Sequence, residues 1–522
     1  MDLPILLAAA GAFFGFENPL ARAPFLILLL PAALAHIGAQ AENGKNAFRR
    51  GYLAGVLSAA PTLYWTALPV HDFGGLNWLL AVPCPVLISL VLGLYPALFS
   101  LVVYWATRTL KPLSAGLFAG LFWAGMELAR GSLLTGFPWL TLAAAFSPWP
   151  AAIACASLVG AYGLSGLYAA AASLCALGLR RDRLGAVAES AGICLFALLA
   201  CAGWYLLENP EPSASFANIS IIQGNVDQSQ KWDKSFQDEI LGRYLKLSEE
   251  EIAGRGPELV IWPETALPFF YEQAVPDDRL SRSVKSLVSK TGAALLAGGP
   301  ARGRLGPEPG QGAGLSGGKT VLFNRAYLLV PPQARESHYD KMHLVPFGEY
   351  VPFGEYLPFI GKLVEGVGDF APGASAAPLQ YGNLAMGMLI CYEAIFPDLA
   401  QKRVEAGANV LVNLSNDAWY GKSSAPRQHL DLVVLRAVEQ GVWLVRATNT
   451  GISAAVDPAG RVIGPTPLFV DARVNYPRVG LAAGHTFFHR WYGPITVAIG
   501  AGSLVLAVLV WLGARGARKS SR

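Results

Sequence analysis

Charge is scarce in this sequence. Only 15% of the 522 residues are charged and 53% are hydrophobic, whereas soluble domains carry roughly 25% charged residues. A large part of the protein surface must therefore be apolar and face something other than water. The net charge of +4 is too small to indicate a nucleic-acid partner. Metal motifs are missing too, because the seven histidines include no HExxH motif and no CxxC occurs. We expect a membrane protein without a metal or another cofactor.

The hydrophobic residues are concentrated in two parts of the chain. Residues 1–207 are nearly continuous apolar stretches, 208–490 have the mixed charge and turns of a soluble domain, and 491–522 hold a last apolar run and a basic tail. A membrane-spanning helix needs about 20 apolar residues. We predict about eight spans, at 3–16, 24–41, 51–70, 78–106, 113–130, 149–178, 184–206 and 494–513. The proline-rich fourth is expected to be one kinked helix, and 133–146 a re-entrant or interfacial segment.

The basic residues of the short loops predict the orientation. Twelve of them fall in alternate loops and in the tail, at Lys45, Arg49, Arg50, Arg108, Lys111, Arg180, Arg181, Arg183, Arg515, Arg518, Lys519 and Arg522. Basic loops stay in the cytoplasm, so we predict that both termini are cytoplasmic and that 208–490 lie on the opposite side. The N-terminus has no basic leader, which argues against a cleaved signal peptide. In a bacterium this places the soluble domain in the periplasm, on the inner membrane.

Cysteine is sparse and unevenly placed. Five of six fall in apolar stretches, where a small buried residue is the ordinary explanation, at Cys84, Cys155, Cys175, Cys194 and Cys201. Cys391 is the only cysteine in 208–490. A lone thiol cannot form a disulfide within its own domain, so it is kept either by burial or because its chemistry is used.

The soluble domain alternates strands and helices. We predict strands near 218–222, 258–262, 293–298, 321–330, 384–390, 409–414, 442–448 and 452–457. We predict helices near 234–253, 279–291, 396–406 and 427–440. The glycine-rich stretch 302–318 is expected to be a surface loop. Such alternation indicates a layered α/β fold.

Three segments carry candidate catalytic groups. LVIWPETALP places Glu264 at the end of a strand, YDKMHLVPFGEYVP contains Lys341 and Glu349, and MGMLICYEAIFPD delivers Cys391 to a turn. A nucleophile at such a turn lies near free backbone N–H groups that can hold an oxyanion.

Thiol, carboxylate and ammonium complement one another chemically. A free thiol with a pKa of about 8.5 needs a base or a cation to become a nucleophile. Glu264 can accept the proton and return it, and the Lys341 ammonium can stabilise thiolate and oxyanion. Each residue alone is more often a cap or a solvated charge, so the combination carries the hypothesis.

The same segments resemble a known family. WPET at 262–265, LVPFGE at 344–349, CYE at 391–393, NLSNDAW at 413–419 and RATNTG at 446–451 are similar to the Glu-Lys-Cys motifs of the nitrilase (carbon–nitrogen hydrolase) superfamily. With the apolar segments on both sides, the whole chain resembles the apolipoprotein N-acyltransferase family. The resemblance implies a multi-pass α-helical membrane domain joined to an αββα sandwich.

The resemblance also implies roles for individual residues. Glu264 becomes the general base, Lys341 the transition-state stabiliser and Cys391 the nucleophile. Glu349 matches a second glutamate that assists them. PFGEY occurs twice, at 346–350 and 352–356, and the spacing from the lysine selects Glu349 over Glu355.

Four further residues match positions that shape the family's site. Tyr392 and Glu393 follow the nucleophile, and the Tyr392 N–H is a natural oxyanion donor. Trp232 and Trp419 match aromatic positions, where packing and substrate contact remain alternatives.

The implied activity is a two-step acyl transfer. Cys391 takes a fatty acyl chain from a membrane phospholipid as a thioester, and the N-terminal amine of a diacylglyceryl-cysteine apolipoprotein then accepts it, in a ping-pong reaction of a monomeric enzyme. One alternative is a membrane-tethered amidase that hydrolyses small amides. Another is a transporter or scaffold whose soluble domain only binds a ligand.

Two further features stay open at this point. The apolar, Pro/Gly-broken stretch 346–370 is interpreted as an arm or lid dipping toward lipid, with a buried loop as the alternative. Glu127 and Arg130 lie one helical turn apart in the fifth predicted span, either as a functional pair or as a structural ion pair.

Overall fold

The computed structural model describes residues 2–179, 182–271, 278–305, 319–350 and 370–520. The first 208 residues consist mainly of apolar helices. They are α1 (Leu3–Gly15), α2 (Leu29–Gln40), α3 (Gly44–Thr62), α4 (Ala67–Asp72), α5 (Trp78–Ala81), α6 (Pro83–Leu92), α7 (Leu94–Thr109), α8 (Pro112–Ser132), α9 (Pro150–Ile153), α10 (Ala156–Gly178) and α11 (Arg183–Glu208).

The eight predicted membrane segments are all helical but differ in length. Among the described residues, five helices are long and apolar enough to cross a membrane: Trp78–Thr109, Pro112–Ser132, Ala156–Gly178, Arg183–Glu208 and Tyr492–Gly516. A sixth span is present if Gly44–Thr62 and Tyr64–Asp72, bent by 62°, count as one. Leu3–Gly15 and Pro24–Gln40 are apolar but shorter. The count of eight is therefore approximate, and the fourth segment is one interrupted helix, as predicted.

Two local predictions need comment. Residues 133–146 form no α-helix and end in a short 3-10 helix, Leu142–Phe146, whose residues are buried. Burial of the membrane cysteines is correct for Cys155 but wrong for Cys194 and Cys201, which lie on exposed parts of α11. The reason is that an apolar helix that faces lipid exposes side chains that a soluble core would bury.

The second part of the chain alternates strands and helices. Its elements are β1 (Ser213–Gln223), α12 (Gln237–Arg255), β2 (Leu259–Ile261), α13 (Arg279–Thr291), β3 (Ala294–Leu305), β4 (Lys319–Val330), β5 (Arg335–Asp340), β6 (Leu379–Tyr381), β7 (Leu384–Ile390), α14 (Pro397–Glu405), β8 (Val410–Ser415), α15 (Ala425–Gln440), β9 (Leu444–Thr448), β10 (Ala454–Val456), β11 (Val462–Ile463), β12 (Ala472–Ala482), α16 (Phe487–Arg490) and α17 (Tyr492–Ser520).

Every predicted strand is present, but the prediction missed four. The short or edge strands β5, β6, β11 and β12 lack a continuous apolar run, because a strand with one exposed face or edge needs none. The predicted loop at 302–318 is wrong for residues 302–305, which extend β3. Residues 306–318 lie outside the described part, as do 351–369, which make up most of the predicted arm and include Glu355.

Two six-stranded sheets form the centre of this domain. The first sheet has the order β12-β1-β2-β3-β4-β5, and the second has the order β11-β10-β9-β8-β7-β6. Their inner faces share one core, to which Ile219 and Leu259 contribute from the first sheet and Met388 and Val412 from the second. The central strands β7, β8 and β9 run parallel, which brings their carboxyl ends to one edge.

A helical layer covers each outer face. Helices α12 and α13, the outer layer, pack on the first sheet. Helices α14 and α15, the inner layer, share a core with the second sheet and with the membrane helices. The domain is thus the αββα sandwich that the resemblance implied, and one of its α layers is covered by the membrane part.

Helix α15 makes extensive contacts between the two parts. All of its residues but Arg427 are buried. The Gln428 side chain accepts hydrogen bonds from the indole N–H groups of Trp65 and Trp139 and donates to the backbone carbonyls of Glu17 and Thr62. This one amide therefore ties the inner layer to four segments of the membrane part.

Candidate active site

Cys391 lies where β7 ends and a short 3-10 helix, Cys391–Ile395, begins. Its side chain is buried and its φ is +52°, a left-handed conformation that costs a residue with a Cβ about 1–2 kcal/mol. The first N–H groups of a helix have no partner within the helix. The strained turn therefore places Cys391 at the N-terminal end of this short helix.

Glu264 follows β2, as predicted, and is buried. Its Oε1 accepts a hydrogen bond of 2.7 Å from Asn324 Nδ2. Strand β3 passes so closely that a Cβ on Gly298 would lie 2.7 Å from the Glu264 Cα. Only glycine allows this approach, which fixes the backbone of the carboxylate.

Lys341 comes directly after β5 and is 1% exposed. Its Nζ lies 2.9 Å from Glu349 Oε2 and 3.7 Å from Glu264 Oε1. Burial alone would lower the pKa of Lys341, but the two carboxylates, Glu349 first, raise it above its ordinary value. The lysine is therefore a permanent cation between two carboxylates.

Asn324 links the two glutamates and was missed by the sequence analysis. Its Nδ2 donates to Glu264 Oε1 and, at 2.9 Å, to Glu349 Oε1. Glu349 also accepts from the backbone N–H of Val345 at 2.8 Å. Strand β4 carries Asn324, but nothing in its sequence marks one asparagine as an active-site residue.

The charges of Glu264 and Lys341 affect the pKa of the Cys391 thiol. Burial, and then repulsion by Glu264, raise the pKa of Cys391 to about 12, against the attraction of Lys341. The resting sulfur is therefore a thiol rather than a thiolate. A thiol needs a base to become a nucleophile, and Glu264 is the carboxylate with the largest influence on the pKa of this thiol.

Glu393 connects the lysine loop with the cysteine turn. Its carboxylate accepts from the backbone N–H of Ile390 at 2.7 Å, of Met342 at 2.8 Å and of His343 at 3.1 Å. The first lies one residue before Cys391 and the second one residue after Lys341. Glu393 therefore holds the two catalytic candidates in register.

The remaining predicted residues lie around this centre. The Tyr392 hydroxyl donates to the carbonyl of Gly136, in the segment 133–146 of the membrane part. Trp419 is half-buried and packs edge-on against Phe73, with ring centroids 4.9 Å apart. Trp232 is half-buried as well.

Lys231, next to Trp232, is a second residue that the sequence analysis missed. It is 1% exposed, and its Nζ donates to the Glu264 carbonyl at 3.2 Å. Burial lowers the pKa of Lys231 to about 7, with Glu264 and Cys391 opposing the change. Lys231 was missed because a lysine beside a tryptophan in a polar loop does not indicate burial.

Glu127 and Arg130 lie apart from this centre. Glu127 Oε1 accepts from the Trp123 indole at 3.0 Å and from the Leu142 N–H at 2.8 Å, and lies 3.8 Å from Arg130 Nη2. These bonds hold the segment 133–146 on α8, which favours the structural role. Within the described residues, no group of His, Cys, Asp and Glu is arranged to hold a metal.

Two family models match the chain. The carbon-nitrogen hydrolase model matches residues 218–476, and the model of the apolipoprotein N-acyltransferase N-terminal domain matches residues 7–174. The apolipoprotein N-acyltransferase of Geobacter metallireducens is 37% identical over 95% of this chain and 91% of its own length. That of Bordetella bronchiseptica is 34% identical over 89% of each chain.

A solved structure is also similar to part of the chain. A mutant of the Nesterenkonia AN1 amidase, from the nitrilase superfamily, is 21% identical over 51% of this chain and 93% of its own, with a TM-score of 0.35. The full-length relatives and the two matching domains decide the assignment: the chain belongs to the apolipoprotein N-acyltransferase family.

Proposed function

We propose that this protein transfers a fatty acyl chain from a membrane phospholipid to the N-terminal amine of diacylglyceryl-cysteine apolipoproteins. One observation carries the proposal. A buried thiol, Cys391, lies within the electrostatic reach of Glu264 and Lys341, on the sheet whose helical layer packs against the membrane part. The names of the full-length relatives support the same reaction.

In the first step Glu264 takes the thiol proton as the Cys391 sulfur attacks the ester carbonyl of the phospholipid. A C–S bond forms, and the oxyanion is held by Lys341 and by the backbone N–H of Tyr392. The ester C–O bond then breaks, and the proton passes from Glu264 to the departing lysophospholipid oxygen. A thioester on Cys391 remains.

In the second step the neutral amine of the apolipoprotein attacks the thioester carbonyl. A C–N bond forms and the C–S bond breaks, while Glu264 moves the proton from the nitrogen to the sulfur. The reaction is therefore ping-pong, and an amide is the product. Water must be excluded for transfer to outrun hydrolysis, and the burial of all three groups supports this exclusion.

The proposal includes a topology. Residues 1–207 form the first membrane part, 208–490 the catalytic domain, and 491–522 the last span and tail. The distribution of basic loop residues supports a periplasmic catalytic domain with both termini in the cytoplasm of a bacterium. We propose a monomer that receives both substrates by lateral diffusion in the inner membrane.

A two-stage assay tests the reaction. The purified protein in detergent is mixed with phospholipid carrying a radiolabelled acyl chain, and label on Cys391 that hydroxylamine releases identifies the thioester. A diacylglyceryl-cysteine peptide is then added, and its mass should increase by one acyl chain. Release of free fatty acid with no gain of mass in the peptide would contradict transfer.

The alternative amidase is tested in the same preparation. Small aliphatic amides should not be hydrolysed at a rate comparable to acyl transfer. Efficient ammonia release from such amides, without thioester formation from phospholipid, would favour the amidase.

A further inference from the structure

The carbonyl oxygen of Cys391 points into a buried polar network. It lies 3.3 Å from His429 Nε2 on α15 and 3.5 Å from Asn413 Nδ2 on β8. The His429 side chain is completely buried. A carbonyl oxygen only accepts hydrogen bonds, so a hydrogen on Nε2 is required for the closer contact to be favourable.

Two charged residues hold the imidazole ring of His429. Its Nδ1 lies 3.1 Å from Asp417 Oδ1 and 3.2 Å from Arg446 Nη2. Arg446 Nη2 also donates to Asp417 Oδ2 at 2.7 Å. Nδ1 thus faces both an acceptor, Asp417, and a donor, Arg446. Among the described residues, Nε2 faces only the acceptor oxygen of Cys391, so in the neutral ring the hydrogen is needed on Nε2, and Arg446 can then donate to Nδ1. Burial, and then Arg446, lower the pKa of His429, which favours this neutral form.

The geometry of the peptide bond connects this contact to the reaction. The bond between Cys391 and Tyr392 is trans, so its C=O and N–H point in opposite directions in one plane. The carbonyl points toward α15 in the inner layer. The Tyr392 N–H therefore points away from the His429 ring.

We propose that His429 is a positioning residue: its Nε2–H···O bond to Cys391 orients the Cys391–Tyr392 peptide so that the Tyr392 N–H faces the acyl oxyanion. This inference rests on the proposed acyl chemistry of Cys391 and adds to it a residue that touches no substrate. It also gives the left-handed turn at Cys391 a function, since that turn brings the carbonyl to His429.

Two substitutions distinguish the contribution of Nε2 from that of Nδ1. His429→Asn places an amide near the position of Nδ1 but is too short to reach the Cys391 carbonyl. His429→Gln places an amide N–H near the position of Nε2. Both replacements are polar and have fewer non-hydrogen side-chain atoms than histidine. His489→Asn, at a half-buried histidine of α16 outside this network, is the matched control.

Two reactions of Cys391 are then compared in detergent. The acylation burst with a p-nitrophenyl ester passes through a tetrahedral oxyanion, whereas alkylation by iodoacetamide does not. His429→Asn should slow the burst by about 10²–10³-fold, the usual cost of one oxyanion donor, and leave alkylation within about twofold. His429→Gln should restore the burst to within about tenfold of wild type, and His489→Asn should change neither rate.

Other outcomes overturn the inference. If His429→Asn slows both reactions equally, the histidine supports the thiol or the fold and not the oxyanion donor. If His429→Gln is as slow as His429→Asn, or if neither variant affects the burst, the Nε2 bond has no such function. A normal wild-type burst without acylation by phospholipid would refute the proposed function and leave this inference standing. Absence of any burst in the wild type would refute both.

Discussion

The two halves of the sandwich contribute different chemistry to the site. The first sheet supplies a carboxylate and an ammonium group, because Glu264 and Lys341 follow β2 and β5. The second sheet supplies the nucleophile and the network behind it, because Cys391 follows β7 and His429 lies on α15. In the proposed reaction, proton transfer therefore takes place on the half farther from the membrane part, and the acyl chain is attached on the half that packs against it.

The helical layers differ in the same way. Only four of thirteen residues are buried in α13 of the outer layer, whereas nearly all of α15 is buried. Helix α15 is nevertheless rich in polar residues, and these make specific contacts: Glu439 accepts from the N–H of Ala161 at 2.7 Å, and Arg22 pairs with Asp431 at 2.7 Å. The polar helix α13 is thus mostly exposed in the outer layer, whereas the polar helix α15 attaches the inner layer to the membrane part.

The largest effect is expected from removing the proposed nucleophile of the second sheet. Cys391→Ala should lower acyl transfer by about 10⁴-fold or more, since the proposed thioester forms on this thiol. Cys194→Ala, at an exposed cysteine of α11, is the control and should keep full activity. The measurement is radiolabelled acyl chain on the protein and in the product. Label retained on the alanine variant would place the acyl chain elsewhere.

The proposed base on the first sheet, Glu264, is tested by replacing it and Glu349 in turn with glutamine. Glu264→Gln should lower the rate of a single acylation by about 10²–10⁴-fold, the usual contribution of a general base. Glu349→Gln should cost less, because Lys341 keeps Glu264 as a partner at 3.7 Å. If Glu349→Gln is the slower variant, the base is Glu349, and the roles assigned to the two glutamates are wrong.

The pH dependence of alkylation tests how the halves interact. Since the pKa of Cys391 is raised to about 12, the thiol is protonated at neutral pH, and its thiolate fraction grows about tenfold per pH unit. The iodoacetamide rate should therefore rise steadily from pH 7 to pH 10. Lys341→Met should slow it at every pH, because the ammonium lowers the pKa of the thiol. A plateau near pH 8.5 in the wild type would contradict the raised pKa.

Lys231 is expected to contribute to the half of the site that contains Glu264. Lys231→Met removes the hydrogen bond to the Glu264 carbonyl and should slow acylation about tenfold, the equivalent of one hydrogen bond to a charged group. Lys234→Met, three residues away in the short 3-10 helix Lys234–Phe236, is the control. Equal rates for the two variants would show that Lys231 has only a packing role.

The smallest effect on chemistry is expected at the docking contact. Gln428→Leu leaves the indole N–H groups of Trp65 and Trp139 without their acceptor, which should destabilise the fold by about 1–3 kcal/mol per buried group. Thermal unfolding in detergent measures this loss. Gln237→Leu, at the start of α12 in the outer layer, should shift the midpoint less. An unchanged midpoint for Gln428→Leu would show that the amide does not hold the two parts together.

The sequence by itself determined the features that depend on short stretches of chain. Apolar runs gave the membrane segments, and alternating strands and helices gave the layered fold. The ends of β2 and β7 marked Glu264 and Cys391, because a strand followed by an abrupt turn is a local pattern. The catalytic candidates were therefore recognisable before their mutual distances were known.

Only the tertiary structure decided which other residues meet them. Asn324 contacts Glu264 across 60 positions of the chain, Lys231 across 33, and His429 contacts Cys391 across 38. Strand β12 pairs with β1 from the far end of the domain. Such contacts leave no local pattern, because a buried polar residue has the same sequence neighbours as an exposed one. Its function is set by the layer that covers it, and for α15 that layer is the membrane part.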